Sequence, residues 1–157
     1  MLDKLVIDTN VLIAANGRNT HACFACQLAC IELLEECKNS LIALDDLDLI
    51  MDEYKAYCNY SGQPNTGDMF FKYLHDNQHS VNNIYRITIT PIDDEARGFL
   101  ELPINTVDKS DRKFVATALI APASIMNATD SDWVEQKLLL DNLNITVKQL
   151  CPEHSCK

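Results

Sequence analysis

Apolar residues occur along the chain in short runs whose spacing alternates between that of strands and that of helices. The first run carries two β-branched triplets, LVI and VLI, in a nearly continuous apolar stretch that predicts a strand buried on both faces. A later run, IYRITITPI, alternates and reaches a proline near its end, as strands do. The predicted strands cover residues 5–13, 40–44, 84–92, 124–126 and 144–150.

Between these strands, apolar positions recur three and four residues apart, which predicts amphipathic helices. Thr20 is expected to be the N-cap of the first of them. The predicted helices cover residues 20–38, 45–57, 66–76, 109–120 and 131–141, with one or two helical turns at 93–100. Strands that alternate with helices predict an α/β fold, a three-layer α/β/α sandwich with a central, mostly parallel sheet of about five strands.

Composition narrows the class of protein. The chain has 157 residues, of which 47% are hydrophobic and 23% charged, as in globular proteins. We expect one domain over residues 1–150 and a short C-terminal tail over 151–157. No apolar run approaches the roughly 18 to 20 residues that span a bilayer, and no secretory signal is evident, so we expect a cytoplasmic protein without membrane contact.

The charge balance constrains the partners. A formal net charge of -10 speaks against a broad basic surface, which is the usual source of nonspecific affinity for nucleic acids. Carboxylates that carry bound divalent cations would instead attract phosphate. A nucleic-acid partner of this chain therefore needs a local source of attraction, which bound divalent cations could provide.

Seven cysteines make an odd number in a chain without a secretory signal, which predicts reduced thiols rather than a disulfide framework. Cys23, Cys26 and Cys30 have helical spacing, and we interpret them as one apolar stripe in the core rather than as a zinc or redox site. Cys151, His154 and Cys156 offer part of a zinc site, but an ordinary tail is the simpler interpretation.

Acidic residues follow two of the predicted strands. Asp8 lies at the exit of the first strand, Asp130 follows the strand at 124–126, and Asp132 comes two residues later. Ligands of open α/β sheets collect at the carboxyl ends of strands. These acids are therefore candidates for a binding site.

Two further acids border the apolar stripes of predicted helices, Glu53 in LIMDEYKAY and Asp111 in DKSDRKFVATA. Both are expected to point toward the same edge of the sheet. Four convergent carboxylates require a counter-charge, which predicts a hard divalent cation with oxygen ligands, Mg²⁺ or Mn²⁺.

Each candidate has a plainer alternative. Asp8 and Asn10 could form a strand-end turn, and Asp111 could cap the helix that follows it. Asp52 competes with Glu53 for the helix position. Asp130 and Asp132 could be acids that favour the N-terminus of a helix through its dipole.

Four segments of the chain carry a resemblance to a known family. In order, they are Asp8-Thr9-Asn10, Glu53 in DEY, Asp111 in DRKFVATAL, and Thr129-Asp130-Ser131-Asp132-Trp133. This ordered set resembles the PIN-domain ribonucleases, a family that includes the toxins of VapC-type toxin-antitoxin modules. The resemblance covers most of the chain.

The resemblance implies a PIN-like fold and a metal-dependent endoribonuclease that cleaves single-stranded RNA. It implies that Asp8, Asp111 and Asp130 bind the metal directly, and that Glu53 binds a second ion or orients the attacking water. Asp132 would be a ligand or would support one. Supporting residues by the same resemblance are Asn10 and Thr129.

Partners follow from the same interpretation. Lys109, Arg112 and Lys113 are candidates for contacts with the RNA backbone, with a solvated helix face as the alternative. A toxin would have an antitoxin partner, and the family leads us to expect a homodimer. The competing hypothesis is a catalytically silent PIN-like module that binds RNA or protein. A dinucleotide-binding domain is disfavoured, because no glycine-rich loop follows the first strand.

Overall fold

The structure is a computed structural model that describes residues 2–151. Five strands and seven α-helices occur along this part of the chain, and a short 3-10 helix, Cys37–Asn39, follows the second α-helix. The strands are β1 (Lys4–Ile7), β2 (Leu41–Asp45), β3 (Ile84–Ile87), β4 (Ser124–Asn127) and β5 (Val147–Gln149). The helices are α1 (Thr9–Asn16), α2 (Phe24–Glu36), α3 (Leu49–Tyr57), α4 (Thr66–Asn77), α5 (Arg112–Ile120), α6 (Asp132–Glu135) and α7 (Lys137–Asn142).

The strands form one sheet in the order β3-β2-β1-β4-β5, and all neighbouring pairs are parallel. Helix α5 packs against β1, β2 and β4, while α1, α2 and α4 pack against one another. The fold is therefore a three-layer α/β/α sandwich, and this prediction is confirmed. Among residues 2–151, no helix combines the length and the apolar character that crossing a membrane requires.

The strand order places the candidate site. From β1 the chain proceeds outward to β2 and β3 on one side, and β4 and β5 lie on the other side. The order thus reverses between β1 and β4, and the crevice at such a reversal is where open α/β sheets bind ligands. Residues that follow β1 and β4 border this crevice.

The predicted first strand is wrong beyond Ile7. The chain turns at Asp8, and Val11 donates its backbone N–H to the carbonyl of Asp8 in the first turn of α1. The apolar residues Val11 and Leu12 are fully buried within α1, and a buried helix shows the same continuous apolar run as a buried strand. The helix ends at Gly17, which adopts φ 68 and donates its N–H to the Ala14 carbonyl.

Helices α2 and α3 each begin four residues later than predicted. Thr20 is not the N-cap of α2, because its Oγ1 accepts the backbone N–H of Ala22 in a turn before the helix. Asp45 ends β2 rather than opening α3. Its buried carboxylate accepts the N–H groups of Leu49 and Ile50 at 2.8 and 3.0 Å, so it caps the helix from the strand end.

The remaining differences also have local causes. Strand β3 ends at Ile87, because β2, its one neighbour among residues 2–151, ends at the paired residue Asp45. Residues 93–100 form turns and an isolated bridge instead of helical turns. Helix 109–120 begins at Arg112, and helix 131–141 is divided at Gln136, whose backbone leaves the helical region.

The prediction that the cysteines are reduced thiols is wrong for Cys23, Cys26 and Cys151, which are disulfide-bonded. Cys26 and Cys30 are buried in the core, as the stripe predicts, but Cys26 is joined to Cys151 by a disulfide. Their separation of 125 residues explains why local spacing could not reveal the pair. The other tail donors, His154 and Cys156, lie outside the described residues.

Candidate metal centre

Three carboxylates meet at the crevice between β1 and β4. One oxygen of each of Asp8, Asp111 and Asp130 lies within 4.8 Å of the others. Asp8 directly follows β1, Asp130 follows β4, and Asp111 directly precedes α5, which packs on both strands. We call these three residues the acidic triad.

Asp8 is the most deeply buried member of the triad, with 4% of its surface exposed. Its Oδ2 accepts hydrogen bonds from Asn10 Nδ2, at 3.1 Å, and from the indole Nε1 of Trp133. Burial raises the pKa of Asp8 to about 6, the Trp133 bond opposes the rise, and the charges of Asp130 and Glu53 add to it.

Asp111 occupies the N-cap position of α5, but its carboxylate does not cap the helix. Within residues 2–151 no hydrogen bond reaches this carboxylate, so the capping alternative does not describe its side chain. Burial, and then the charges of Asp8 and Asp130, raise its pKa to about 7.

Asp130, rather than Asp132, belongs to the acidic triad. The backbone N–H of Asp132 donates to Asp130 Oδ1 at 2.9 Å and so holds the carboxylate in place. Burial raises the pKa of Asp130, and this hydrogen bond opposes the rise. Asp132 is the first residue of α6, and its side chain does not belong to the cluster.

Glu53 lies beside the triad and not within it. Its carboxylate accepts hydrogen bonds from Thr9 Oγ1 and, at 2.7 Å, from Lys113 Nζ. Its charge nevertheless contributes to the raised pKa values of Asp8 and Asp111. The competing Asp52 is exposed to solvent.

Two amide side chains brace the edge of the sheet. Asn10 Nδ2 donates to Asn127 Oδ1 at 2.9 Å, and Asn10 Oδ1 accepts the backbone N–H of Ala128 at 2.9 Å. Asn127 in turn donates to the Asp130 carbonyl at 2.9 Å. The supporting role expected for Asn10 thus has a hydrogen-bond network behind it. For Thr129, no side-chain hydrogen bond exists in the described part of the chain.

Sequence reasoning missed two of these supports. It did not assign Trp133 a contact with a candidate ligand, whereas the buried indole holds the Asp8 carboxylate. It assigned no role to Asn127. The sequence did offer one indication, because Asn127 lies at the end of a buried strand and three residues before the candidate ligand Asp130.

The three predicted cations have different surroundings. Lys113 forms an ion pair with Glu53 beside the triad. Lys109 is exposed, and its Nζ lies 3.5 Å from Oε1 of Glu95. Arg112 is buried, and its guanidinium donates to the carbonyls of Glu95 and Val107. Arg112 therefore anchors the loop before α5 and is not a surface cation facing RNA.

The residues present fit a hard divalent cation. Three carboxylate oxygens converge, one carboxylate has no donor, and mutual repulsion contributes to the raised pKa values of Asp8 and Asp111. A cation of the Mg²⁺ or Mn²⁺ type would relieve this repulsion and takes oxygen ligands by preference.

Comparison with protein-family models finds no match to this chain, and comparison with curated proteins finds no similar sequence. The resemblance to the PIN-domain ribonucleases therefore rests on the motifs and on nothing else.

Proposed function

We propose that this protein is a metal-dependent endoribonuclease of the PIN type that cleaves phosphodiester bonds of single-stranded RNA. The observation that carries the proposal is the acidic triad, in which Asp8, Asp111 and Asp130 converge at the reversal of strand order. The order of the surrounding motifs along the chain supports the same choice.

The triad would hold Mg²⁺ or Mn²⁺. When bound, such an ion supplies a positive charge for the scissile phosphate and lowers the pKa of the attacking water. The carboxylates must be ionised for this role, and their raised pKa values mean that protons compete with the metal up to about neutral pH.

The neighbouring side chains set the geometry of the triad. Trp133 and Asn10 fix the orientation of the Asp8 carboxylate, and the N–H of Asp132 fixes that of Asp130. These hydrogen bonds hold ligand oxygens in place before a cation arrives, which is how supporting residues strengthen metal sites.

Glu53 and Lys113 form the rim of the proposed site. We assign Glu53 the orientation of the attacking water, because its carboxylate faces the triad without belonging to it. Lys113 holds that carboxylate at 2.7 Å and offers a positive charge to an approaching phosphate. The exposed Lys109 is a weaker candidate for the same contact.

The net charge of -10 affects which partners the proposed nuclease would attract. An acidic crevice attracts a basic segment, so a toxin interpretation predicts an antitoxin that inserts a basic side chain. A homodimer and a cytoplasmic location belong to the same interpretation. The charge also favours the competing hypothesis of a silent PIN-like module, since it opposes capture of RNA without bound metal.

The test is cleavage of a labelled single-stranded RNA pool in Mg²⁺ or Mn²⁺ by the wild type, Asp8→Asn and Asp111→Asn. Each triad variant should lose more than about 100-fold in rate, since losing even a supporting group of a metal site costs about 10 to 100-fold. Asp76→Asn, an exposed position on α4, removes the same charge and should retain the rate.

Cleavage that persists in both triad variants with EDTA present would refute the proposal. Metal binding without cleavage would favour the silent module. The absence of both would show that the triad is not a metal centre.

A further inference from the structure

Both oxygens of the Glu53 carboxylate have donors within the protein. Its Oε1 accepts a hydrogen bond from Lys113 Nζ at 2.7 Å, and its Oε2 accepts one from Thr9 Oγ1. The carboxylate of Asp111, by contrast, accepts no hydrogen bond from residues 2–151. The protein therefore neutralises Glu53 with its own lysine and leaves the acidic triad without a counter-charge.

Lys113 is held beside Glu53 by more than this ion pair. Its Nζ also donates to the carbonyl of Ser110 and lies 5.1 Å from the centre of the Phe114 ring. The side chain of Lys113 is 13% exposed and that of Glu53 is 23% exposed. Partly buried pairs are screened less by water and salt than surface pairs, so the charge of this ammonium is felt at the rim of the site.

Glu53 lies close enough to the triad to affect it electrostatically. Its charge contributes to the raised pKa values of Asp8 and Asp111, although its carboxylate is not among the three that converge within 4.8 Å. A second cation bound by Glu53 and a triad member would have to lie near the Lys113 ammonium, which bonds the same carboxylate. Like charges repel strongly in a site that is partly closed to water.

We propose that the site binds a single divalent cation, because the ammonium of Lys113 supplies the positive charge that a second cation would bring. The inference rests on the metal centre of the proposed function. It gives a physical reason why Glu53 orients water instead of binding a second ion. Lys113 is then a positioning residue, which acts through Glu53.

The balance of charges supports one cation. When ionised, the triad and Glu53 carry four negative charges, and Lys113 cancels one of them. One divalent cation leaves a single negative charge at the site, whereas a second would make the site positive. Without Lys113, four carboxylates would balance two divalent cations, which is the arrangement of two-metal sites.

The experiment counts the Mn²⁺ ions bound by the full chain, in the wild type and in Lys113→Met. The count comes from calorimetry and from the loss of the electron paramagnetic resonance signal of free Mn²⁺. Methionine keeps an unbranched side chain without the charge. We expect one ion per wild-type chain and two per chain of Lys113→Met, and magnetic coupling between the two ions would show that they share the site.

Three further variants define the role of the lysine charge. Lys113→Arg keeps the positive charge and should bind one ion. Lys109→Met removes an exposed lysine from the segment before α5 and should also bind one. Glu53→Gln combined with Lys113→Met removes the acid that the second ion requires, so the count should return to one.

A loss of fold would not imitate the expected result, because a chain that fails to fold does not gain an ordered second ion. Glu53→Gln gives an independent measurement in which Lys113 is retained. Its count should stay at one, and its affinity for Mn²⁺ should fall about 10-fold, since the ammonium then repels the cation without a carboxylate to offset it.

Two results would overturn the proposal while the metal centre stands. One is two ions bound to the wild type, and the other is a single ion bound to Lys113→Met as to the wild type. The absence of a bound ion from all of these proteins would overturn the metal centre itself, and with it the inference that rests on it.

Discussion

The acidic triad and Asp68 are both buried acids, yet their surroundings are opposite. Asp68 lies at the start of α4 and is fully inaccessible to solvent. Its carboxylate accepts the backbone N–H of Asn59 at 2.8 Å and of Asn65 at 3.2 Å, and the side-chain amide of Asn16 at 3.3 Å. Arg18 adds a positive charge 3.6 Å away.

The triad is poorer in donors, although Asp8 accepts hydrogen bonds from the side chains of Asn10 and Trp133. Asp111 accepts no hydrogen bond from the described residues, and Asp130 accepts one, from a backbone N–H. Its members instead face one another, which together with burial raises the pKa of Asp8 to about 6 and that of Asp111 to about 7.

The contrast between Asp68 and the triad shows that burial alone does not identify a functional acid. A buried carboxylate surrounded by donors ties segments of the fold together, as Asp68 does for α1, α4 and the loop between α3 and α4. A buried carboxylate that faces other carboxylates lacks a partner of opposite charge. That missing partner is what the proposed cation supplies.

The largest expected effect comes from a substitution at Asp68, whose carboxylate accepts several hydrogen bonds. Asp68→Ala should lower the free energy of unfolding by about 3 kcal/mol, because it leaves several buried donors unpaired. Urea denaturation measures this change, with the exposed Asp76→Ala on the same helix as control. In contrast, Asp111→Ala should not destabilise the metal-free protein, since it removes repulsion. If Asp68→Ala and Asp111→Ala lowered the free energy of unfolding equally, the proposed difference between Asp68 and the triad would be wrong.

The second effect is a pH dependence that comes from the triad. Because the pKa of Asp8 is about 6 in the folded protein and 3.8 ordinarily, the folded state holds more protons between these values. The free energy of unfolding of the metal-free protein should therefore fall as pH rises from about 4 to 7. A shift of two units corresponds to about 3 kcal/mol at most.

Urea denaturation across this pH range gives the slope of the free energy of unfolding against pH. We expect a smaller slope for Asp8→Asn than for the wild type. Saturating Mg²⁺ should remove the decline, since the cation binds the ionised carboxylates. Identical slopes in the two metal-free proteins would mean that Asp8 does not carry the effect.

The smallest effect distinguishes two neighbouring acids. Asp130→Asn should weaken Mn²⁺ binding, measured by calorimetry, by more than about 10-fold. Asp132→Asn should change it by less than about threefold, because a charge outside the cluster interacts weakly across solvent. The reverse order would assign the ligand role to Asp132.

Much of the fold could be predicted from local pattern. Residues 40–44 and 66–76 have the apolar spacing of one strand and one helix, and both occur as β2 and α4 with small shifts at the ends. The stretch after Ile7 could not be predicted, because an apolar run that is buried on all sides has no period that separates a helix from a strand.

Of the candidate site, the sequence located the acids and one supporting residue, Asn10, but not the other partners of the acids. Asp8 and Asp130 could be found because each follows a strand, and strand ends are local features. The roles of Trp133 and Arg112 could not be found, since each depends on a contact with a distant segment or on burial by one. The position of Asn127 at the end of a strand was a local indication, but its contact with Asn10 joins distant segments.

Local sequence pattern is therefore enough to predict the alternation of strands and helices, the parallel sheet and the acids at its edge, because each depends on residues near in the chain. Long-range contacts set the strand order, the membership of the acidic triad, and the meeting of Cys26 with Cys151. These contacts join residues as many as 125 positions apart, and local periodicity holds no information about which distant segments meet.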